Sequence, residues 1–344
     1  MNELPLKKMP SRTLKTKLPL IFQNIYLGVD GGGTKTHAVL FDEQRNVVGE
    51  GFSGASNPLR VGVEPAVNNI FQAITAASDA ASKSRGDIAA AVFGLAGVRR
   101  IDLRQRIRER MSEKLGIESV EVLTDAEIAL FGTTLGKAGV VVIAGTGSIC
   151  YGRNEVGETA IAGGWGPLAG DEGGGAGIAR RGLQAIAKAS DGRGAPTKLS
   201  EAGTVYFRAA TPENLLSAIY SPQMDNIKIA GFARFVVETA QKNDRVALEI
   251  LNEAGIELGT AVNAVVAKLK LNRRKIPIGT VGSIFQAGEL LTDSLIKTVH
   301  KFVPKAFLAK PVLQPASAAA QMAWEMFHKK QITTVQSRAA ARRS

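Results

Sequence analysis

Apolar residues fall into strand-length blocks in two separate parts of the chain, and in both parts glycines split the blocks. Residues 25–30 (Ile-Tyr-Leu-Gly-Val-Asp) form one apolar run, broken at Gly31–Gly33. A second run covers 35–42, and the polar stretch 42–46 turns the chain into a third at 47–53. This pattern predicts an antiparallel three-stranded meander. Helical spacing then predicts helices over about 64–82 and 100–114, with strands at 88–95 and 119–124 and a helix opening at Asp125. At 139–164 the first pattern restarts: apolar strand, glycine turn, strand, polar turn, strand.

The two glycine turns superpose with one offset of 114 residues, Thr34 falling on Ser148 and Asp30 on Ala144. A repeat of that length means two copies of one α/β unit rather than a solenoid. Further along, amphipathic helices are expected at about 227–241 and 246–270, and an Ala-rich helix at 316–327 suits close packing on a sheet.

Three consecutive glycines suggest a phosphate, but neither common phosphate motif fits. A P-loop has Gly-Lys-Ser/Thr after four spaced residues, whereas Gly33 is followed by Thr34. A dinucleotide fingerprint opens directly into a helix, and here a strand follows. What remains is a pair of hairpin turns, one from each unit, offering backbone N–H groups to a polyphosphate across a cleft. Each turn alone is an ordinary Gly-rich hairpin; the matched pair at domain spacing carries the functional reading. Only the first turn has a carboxylate, Asp30, which can hold Mg²⁺ through water.

Length and composition narrow the class. A chain of 344 residues is long for one core, and 45% hydrophobic with 22% charged residues is the balance of a soluble globular protein. The longest apolar runs are strand-sized, and no secretory signal pattern opens the chain, so a cytoplasmic protein without membrane contact is expected. A single cysteine, Cys150, excludes a disulfide framework and fits a small buried hydrophobe. The net charge of +12 is concentrated at the ends. Residues 1–23 carry +4 and residues 329–344 carry +5, leaving +3 on the body. Both ends are expected to be disordered basic tails, and with few aromatics near the arginines no specific nucleic-acid surface is expected. His37, His300 and His328 lack metal-ligand spacing.

Several residues have two readings. Asp125 follows an apolar strand and begins a helix, so it is either a helix N-cap or a catalytic carboxylate at a strand's C-terminal end. Asp171 or Glu172 can be an acid favoured by the dipole of the helix that follows. Asn57 can be a turn residue before Pro58. Trp165 can line the pocket or simply pack its domain.

The stretches 28–36 (GVDGGGTKT), 54–58 (GASNP), 95–97 (LAG), 123–132 (LTDAEIALFG), 143–150 (IAGTGSIC), 163–175 (GGWGPLAGDEGGG) and 281–285 (VGSIF) carry a resemblance. In order and content they resemble the actin-like ATPase and sugar kinase superfamily. Within it they resemble the BadF/BadG/BcrA/BcrD-type group, which includes N-acetylglucosamine kinases. The resemblance covers roughly residues 24–328. It implies an α/β fold of two duplicated ribonuclease-H-like (actin-like ATPase) domains around a cleft, the first at 24–136 plus about 316–328 and the second at 137–315.

The resemblance also implies an ATP- and Mg²⁺-dependent kinase with Asp125 as general base. Asp30, Gly31, Gly32, Gly33, Thr34 and Lys35 would form the first phosphate loop, with Asp30 serving the metal. Gly145, Thr146, Gly147 and Ser148 would form the second, and Gly282 and Ser283 would lie beside the adenosine. Asn57, Gly97, Asp125, Gly164, Trp165, Gly166 and Asp171 would bind a small amino sugar. N-acetylglucosamine is the first expectation, glucosamine or N-acetylmuramic acid the neighbours, and a homodimer the expected assembly.

Two other readings compete. The activator ATPases of 2-hydroxyacyl-CoA dehydratases, in the same wider family, need cysteines for an iron–sulfur cluster between subunits, and Cys150 stands alone. A non-catalytic sugar sensor would be expected to have lost Asp30, Asp125 or a phosphate glycine, and all are present.

Overall fold

The computed structural model describes residues 24–341. The basic stretch 1–23 and the last three residues lie outside the described residues. The first half begins with β1 (Ile25–Gly31), β2 (Thr36–Phe41) and β3 (Val47–Ser53), then α1 (Pro58–Val61) and α2 (Val63–Ala81). It continues through β4 (Ile88–Leu95), α3 (Ile101–Leu115), β5 (Val120–Thr124) and α4 (Asp125–Thr134).

The second half repeats the three strands as β6 (Gly139–Ala144), β7 (Ser148–Arg153) and β8 (Thr159–Gly163). A helical stretch follows: α5 (Gly175–Ser190), α6 (Leu199–Phe207), α7 (Leu215–Ile219), α8 (Asn226–Gly231), α9 (Ala233–Gln241) and α10 (Arg245–Lys268). The chain ends with β9 (Pro277–Val281), α11 (Glu289–His300), β10 (Phe307–Ala309) and α12 (Pro315–Ala341).

Each half is built on a five-stranded mixed sheet, ordered β3-β2-β1-β4-β5 in the first and β10-β9-β6-β7-β8 in the second. The two sheets share one plan. β1 pairs antiparallel with β2 and parallel with β4, as β6 does with β7 and β9. The meander and its repeat are therefore as the apolar pattern predicts.

β1 is apolar throughout because both its faces are covered. Ile25, Leu27 and Val29 point into one core with Val67, Ile70 and Ile74 of α2 and Ile107 and Met111 of α3. Tyr26 on the opposite face packs with Ala316, Ala319, Ala320 and Ala323 of α12 and with Ile128 of α4. The last helix thus returns to the first sheet, its alanines letting the backbones approach closely. α4 lies between the halves. Ile128 serves the first sheet, while Ala126, Ala129 and Leu130 pack on Val141 and Tyr151 of the second. Contact with both sheets leaves no residue of α4 exposed, and its Thr133 and Thr134 hydroxyls bond back to the helix carbonyls of Ala129 and Leu130.

Three sequence expectations need correction. The final helix does not stop near 327: it runs to Ala341, so the expected disordered tail at 329–344 is helical backbone over 329–341. Residues 328–341 contain no Gly or Pro and are rich in good helix formers. The helix expected over 227–241 is two, α8 and α9, meeting at Phe232. Tyr206 donates its hydroxyl to the Lys228 carbonyl (2.6 Å), and the Phe232 amide turns to Ile229 (3.0 Å) instead. The segment after Gly54 holds a one-turn helix, α1, capped by Asn57 with Pro58 in the first turn. Among the described residues no helix is long and apolar enough to cross a membrane.

Candidate active site

In the first half, three parallel strands end side by side. Gly31 of β1 is level with Leu95 of β4, and Leu95 with Thr124 of β5. Asp30 and Asp125 therefore sit at the C-terminal edge of one sheet with β4 between them, roughly 10 Å apart in backbone at ordinary strand spacing. The C-terminal edge of parallel strands is where α/β proteins build their clefts.

The first glycine turn spans Gly32, Gly33, Thr34 and Lys35, closed by the Gly32 amide on the Lys35 carbonyl (2.9 Å). Thr34 and Lys35 are exposed. The carbonyl of Gly32 accepts the amides of Ser56 (3.0 Å) and Asn57 (3.1 Å), and that of Gly31 accepts the Ala96 amide (2.8 Å). Thr36 Oγ1, fully buried, donates to the Gly54 carbonyl (2.6 Å) and lies 2.8 Å from Ser56 Oγ. These bonds hold the turn, the 54–58 segment and the 95–97 loop as one unit. Gly97 has φ +80, and a Cβ there would fall 2.1 Å from Asn57 Oδ1. Only glycine lets the two loops meet so closely.

Burial, then the neighbouring Asp125 carboxylate, push the Asp30 carboxyl up to about 7, with Lys35 pulling the other way. Burial also raises Asp125, against the bond that its Oδ1 accepts from the Ala126 amide (2.9 Å). Asp125 is not the cap of its helix. Thr124 is: its Oγ1 accepts the Glu127 amide (3.2 Å), and the Glu127 carboxylate accepts the Thr124 amide (2.7 Å) and hydroxyl (2.8 Å). This capping box was readable as Thr-x-x-Glu at 124–127 and leaves Asp125 with no duty as the cap.

The second turn, Gly145-Thr146-Gly147, is closed by the Gly145 amide on the Gly147 carbonyl (2.9 Å), and Ala144 behind it is fully buried. The start of α5 braces it, with the Gly175 amide on the Gly145 carbonyl and that of Ala176 on Thr146 (both 2.8 Å). Gly282 and Ser283 follow β9, the strand beside β6, and both are exposed.

Asp171 lies under this second turn. It is 7% exposed, at φ +63, and its Oδ1 accepts the Ser148 amide (3.2 Å). A Cβ at Gly147 would fall 2.4 Å from Asp171 Oδ2. Burial raises the Asp171 carboxyl, while the Ser148 amide stabilises its charge. Gly164 donates to the Ser148 carbonyl (2.9 Å), so the 163–166 loop also rests on the second turn. Trp165 is 73% exposed, which rules out a packing role within the described chain.

Two arginines join the halves. Arg60 of α1 donates to the Gly33 carbonyl and stands 3.8 Å from Asp225, the N-cap of α8. Arg99 reaches the Gly164 carbonyl (3.4 Å). Sequence reading passed over Arg60, whose only signal was a cation directly after Asn57-Pro58-Leu59. The histidines are taken up in contacts within the fold: His37 stacks on Phe52, His300 bonds the Ala306 carbonyl, and His328 of the last helix meets Glu43. Among the described residues no group of three or more His, Cys, Asp or Glu could cage a metal.

Two duplicated α/β halves, each presenting a glycine hairpin at the edge of its sheet, define the architecture of actin-like ATPases and sugar kinases. The chain belongs to the BadF/BadG/BcrA/BcrD ATPase family, whose model matches residues 27–323. It is 35% identical over 281 residues to the N-acetylmuramic acid/N-acetylglucosamine kinase of Clostridium acetobutylicum, spanning 81% of this chain and 91% of that one. It is 31% identical to the N-acetyl-D-glucosamine kinase of Dictyostelium discoideum, over 88% of this chain and 98% of that one. A solved structure from Chromobacterium violaceum matches with a TM-score of 0.72 and 25% identity, over 87% and 99% of the two chains.

Proposed function

We propose that this protein is an ATP-dependent kinase that phosphorylates an amino sugar, with N-acetylglucosamine as acceptor and its 6-phosphate as product. The observation that carries the reading is Asp125: a desolvated carboxylate at a strand end, freed from capping by Thr124 and Glu127. Burial raises its affinity for a proton, which is what a general base for a sugar hydroxyl needs. Both curated relatives are sugar kinases that match over most of their length.

In this reading Asp125 accepts the proton of the attacking hydroxyl as its oxygen bonds the γ-phosphorus. The β–γ bridging bond breaks towards ADP, and the proton later passes to solvent. The amides of Gly33 and Thr34, with Lys35 beside them, and of Thr146 and Gly147 receive the phosphate oxygens, on turns closed by the Gly32 and Gly145 amides. Gly282 and Ser283 border the adenosine. Asn57, Gly97 and Gly164–Gly166 hold the sugar, and Asp171 contributes by fixing the second turn against the sugar loop. Arg60, bonded to Gly33, adds positive charge next to the first turn.

A divalent cation fits this donor set. The Asp125 carboxylate adds to the proton affinity of Asp30, and Mg²⁺ is normally held by one or two carboxylates plus phosphate oxygens and water. When bound, Mg²⁺ would neutralise charge on the transferred phosphoryl group. The activator-ATPase reading finds no support here, because Cys150 is fully buried in β7 and burial pushes its thiol up.

The test is a coupled ADP-release assay in excess Mg²⁺ across a panel of amino sugars and hexoses. Sugar-dependent release with N-acetylglucosamine is expected; release no faster with any amino sugar than without would refute the reading.

A further inference from the structure

Arg104, in the first turn of α3, joins two parts of the site that are remote in sequence. Its Nε donates to the Val98 carbonyl (2.8 Å), and its Nη2 lies 3.1 Å from Glu127 Oε2. That same Oε2 accepts the amide (2.7 Å) and the hydroxyl (2.8 Å) of Thr124. One carboxylate oxygen therefore takes both the cap of the Asp125 helix and the arginine. The pair is shielded from water, with side chains 29% and 22% exposed.

The two acceptors lead to different substrate contacts. Val98 is fully buried and follows a loop whose Ala96 amide bonds the Gly31 carbonyl (2.8 Å) and whose Gly97 abuts Asn57. Glu127 leads, through Thr124, to Asp125. A guanidinium is a rigid planar fork, so donors set on both acceptors fix the distance between them. Neighbouring arginines do other work. Arg100 pairs with Asp102 in the open, where an ion pair contributes little. Arg108, one turn further along α3, holds the Val120 carbonyl at the start of β5 (3.0 Å).

We propose that Arg104 is a positioning residue for phosphoryl transfer, setting the distance between the 95–98 loop that receives the sugar and the strand end that carries Asp125. It acts through Val98 and Glu127 rather than on either substrate. This rests on the amino-sugar kinase reading and adds a residue to its machinery. A general base must stand within hydrogen-bond reach of the hydroxyl it serves, and a misplacement of about 1 Å can cost on the order of 100-fold in rate.

The experiment takes wild type, Arg104→Met, Arg104→Lys, Glu127→Gln and the double variant Arg104→Met with Glu127→Gln. With ATP, Mg²⁺ and N-acetylglucosamine it measures kcat, both KM values, phosphosugar formed per ADP released, and the thermal melt. Arg104→Met should lose about 10- to 100-fold in kcat with KM for ATP unchanged. Its phosphosugar per ADP should also drop, because water needs no fixed loop to reach the γ-phosphate. Arg104→Lys can meet one acceptor at a time and should recover part of the loss. Gln still completes a capping box, so Glu127→Gln should keep its melt and lose less. The double variant should be no slower than Arg104→Met alone, since both changes cut one link.

Should Arg104→Met fail to fold, Arg104→Lys and Glu127→Gln read the same split between kcat and KM for ATP. Wild-type kcat in both Arg104 variants would overturn the proposal. So would additive losses in the double variant. A loss that follows the melt, raises KM for ATP equally and leaves phosphosugar per ADP unchanged would make Arg104 only a strut. Each of these results leaves the kinase reading standing if wild type phosphorylates the sugar. Wild type without sugar-dependent ADP release would sink both.

Discussion

Thr124 and Glu127 cap the helix that begins at Asp125, each side chain serving the other's backbone amide. The consequence is a division of labour at one strand end: Thr124 and Glu127 hold the helix, and Asp125 is available for chemistry. Thr124→Ala should therefore lower stability by about 1–2 kcal/mol, the ordinary cost of a lost cap, a little more because Thr124 is buried. Denaturant melts of the Thr124 and Asp125 variants side by side check this. A larger loss for Asp125→Asn than for Thr124→Ala would return the capping role to Asp125.

Asp171 ties its own glycine-rich loop to the second glycine turn through the Ser148 amide, which under the proposed function joins the sugar side to the nucleotide side. Asp171→Ala should raise KM for ATP as well as for sugar, by about tenfold, the worth of one bond to a buried charged group. Asp171→Asn should keep much of the ATP affinity, since its amide oxygen can still accept from Ser148 and Asn tolerates a positive φ. A change confined to sugar KM would mean that Asp171 acts on the sugar alone.

The raised carboxyl of Asp30 has a consequence for stability in Mg²⁺-free buffer. With the folded value near 7 and the unfolded value at 3.8, the native state holds a proton in that window that the unfolded state has released. Stability should thus fall as pH rises through the window and level off above it. Between pH 5 and pH 8 the loss is on the order of 3 kcal/mol. Asp30→Asn should remove the share of this slope that belongs to Asp30, leaving that of Asp125 and Asp171, whose carboxyls burial also raises. Melts of both proteins across that range decide it, and parallel profiles would show that Asp30 is not the group responsible.

Much of this was legible because the fold is locally encoded. The alternation at 25–53 and again at 139–163, cut by glycines, specified both meanders, and the offset between Thr34 and Ser148 specified the duplication. What stayed hidden came from distant partners. The break between α8 and α9 depends on Tyr206, and Asp171 meets Ser148 from 23 residues away. Arg60 reaches Gly33 across 27 residues. No local pattern announces such pairs. The capping box was local and readable, but Asp125 beside it offered a simpler cap.

The most direct test of the whole account is Asp125→Asn, assayed at saturating ATP and N-acetylglucosamine, with a thermal melt of the same preparation. Asn keeps the size of Asp and its hydrogen bond to Ala126, and Thr124 still caps the helix. It cannot take a proton as a carboxylate does. The account predicts turnover reduced by about 10² to 10⁴ with an unchanged melt and a smaller change in sugar affinity. Near-wild-type turnover would contradict it, and so would lost turnover accompanied by a collapsed melt, which would leave Asp125 only a structural role.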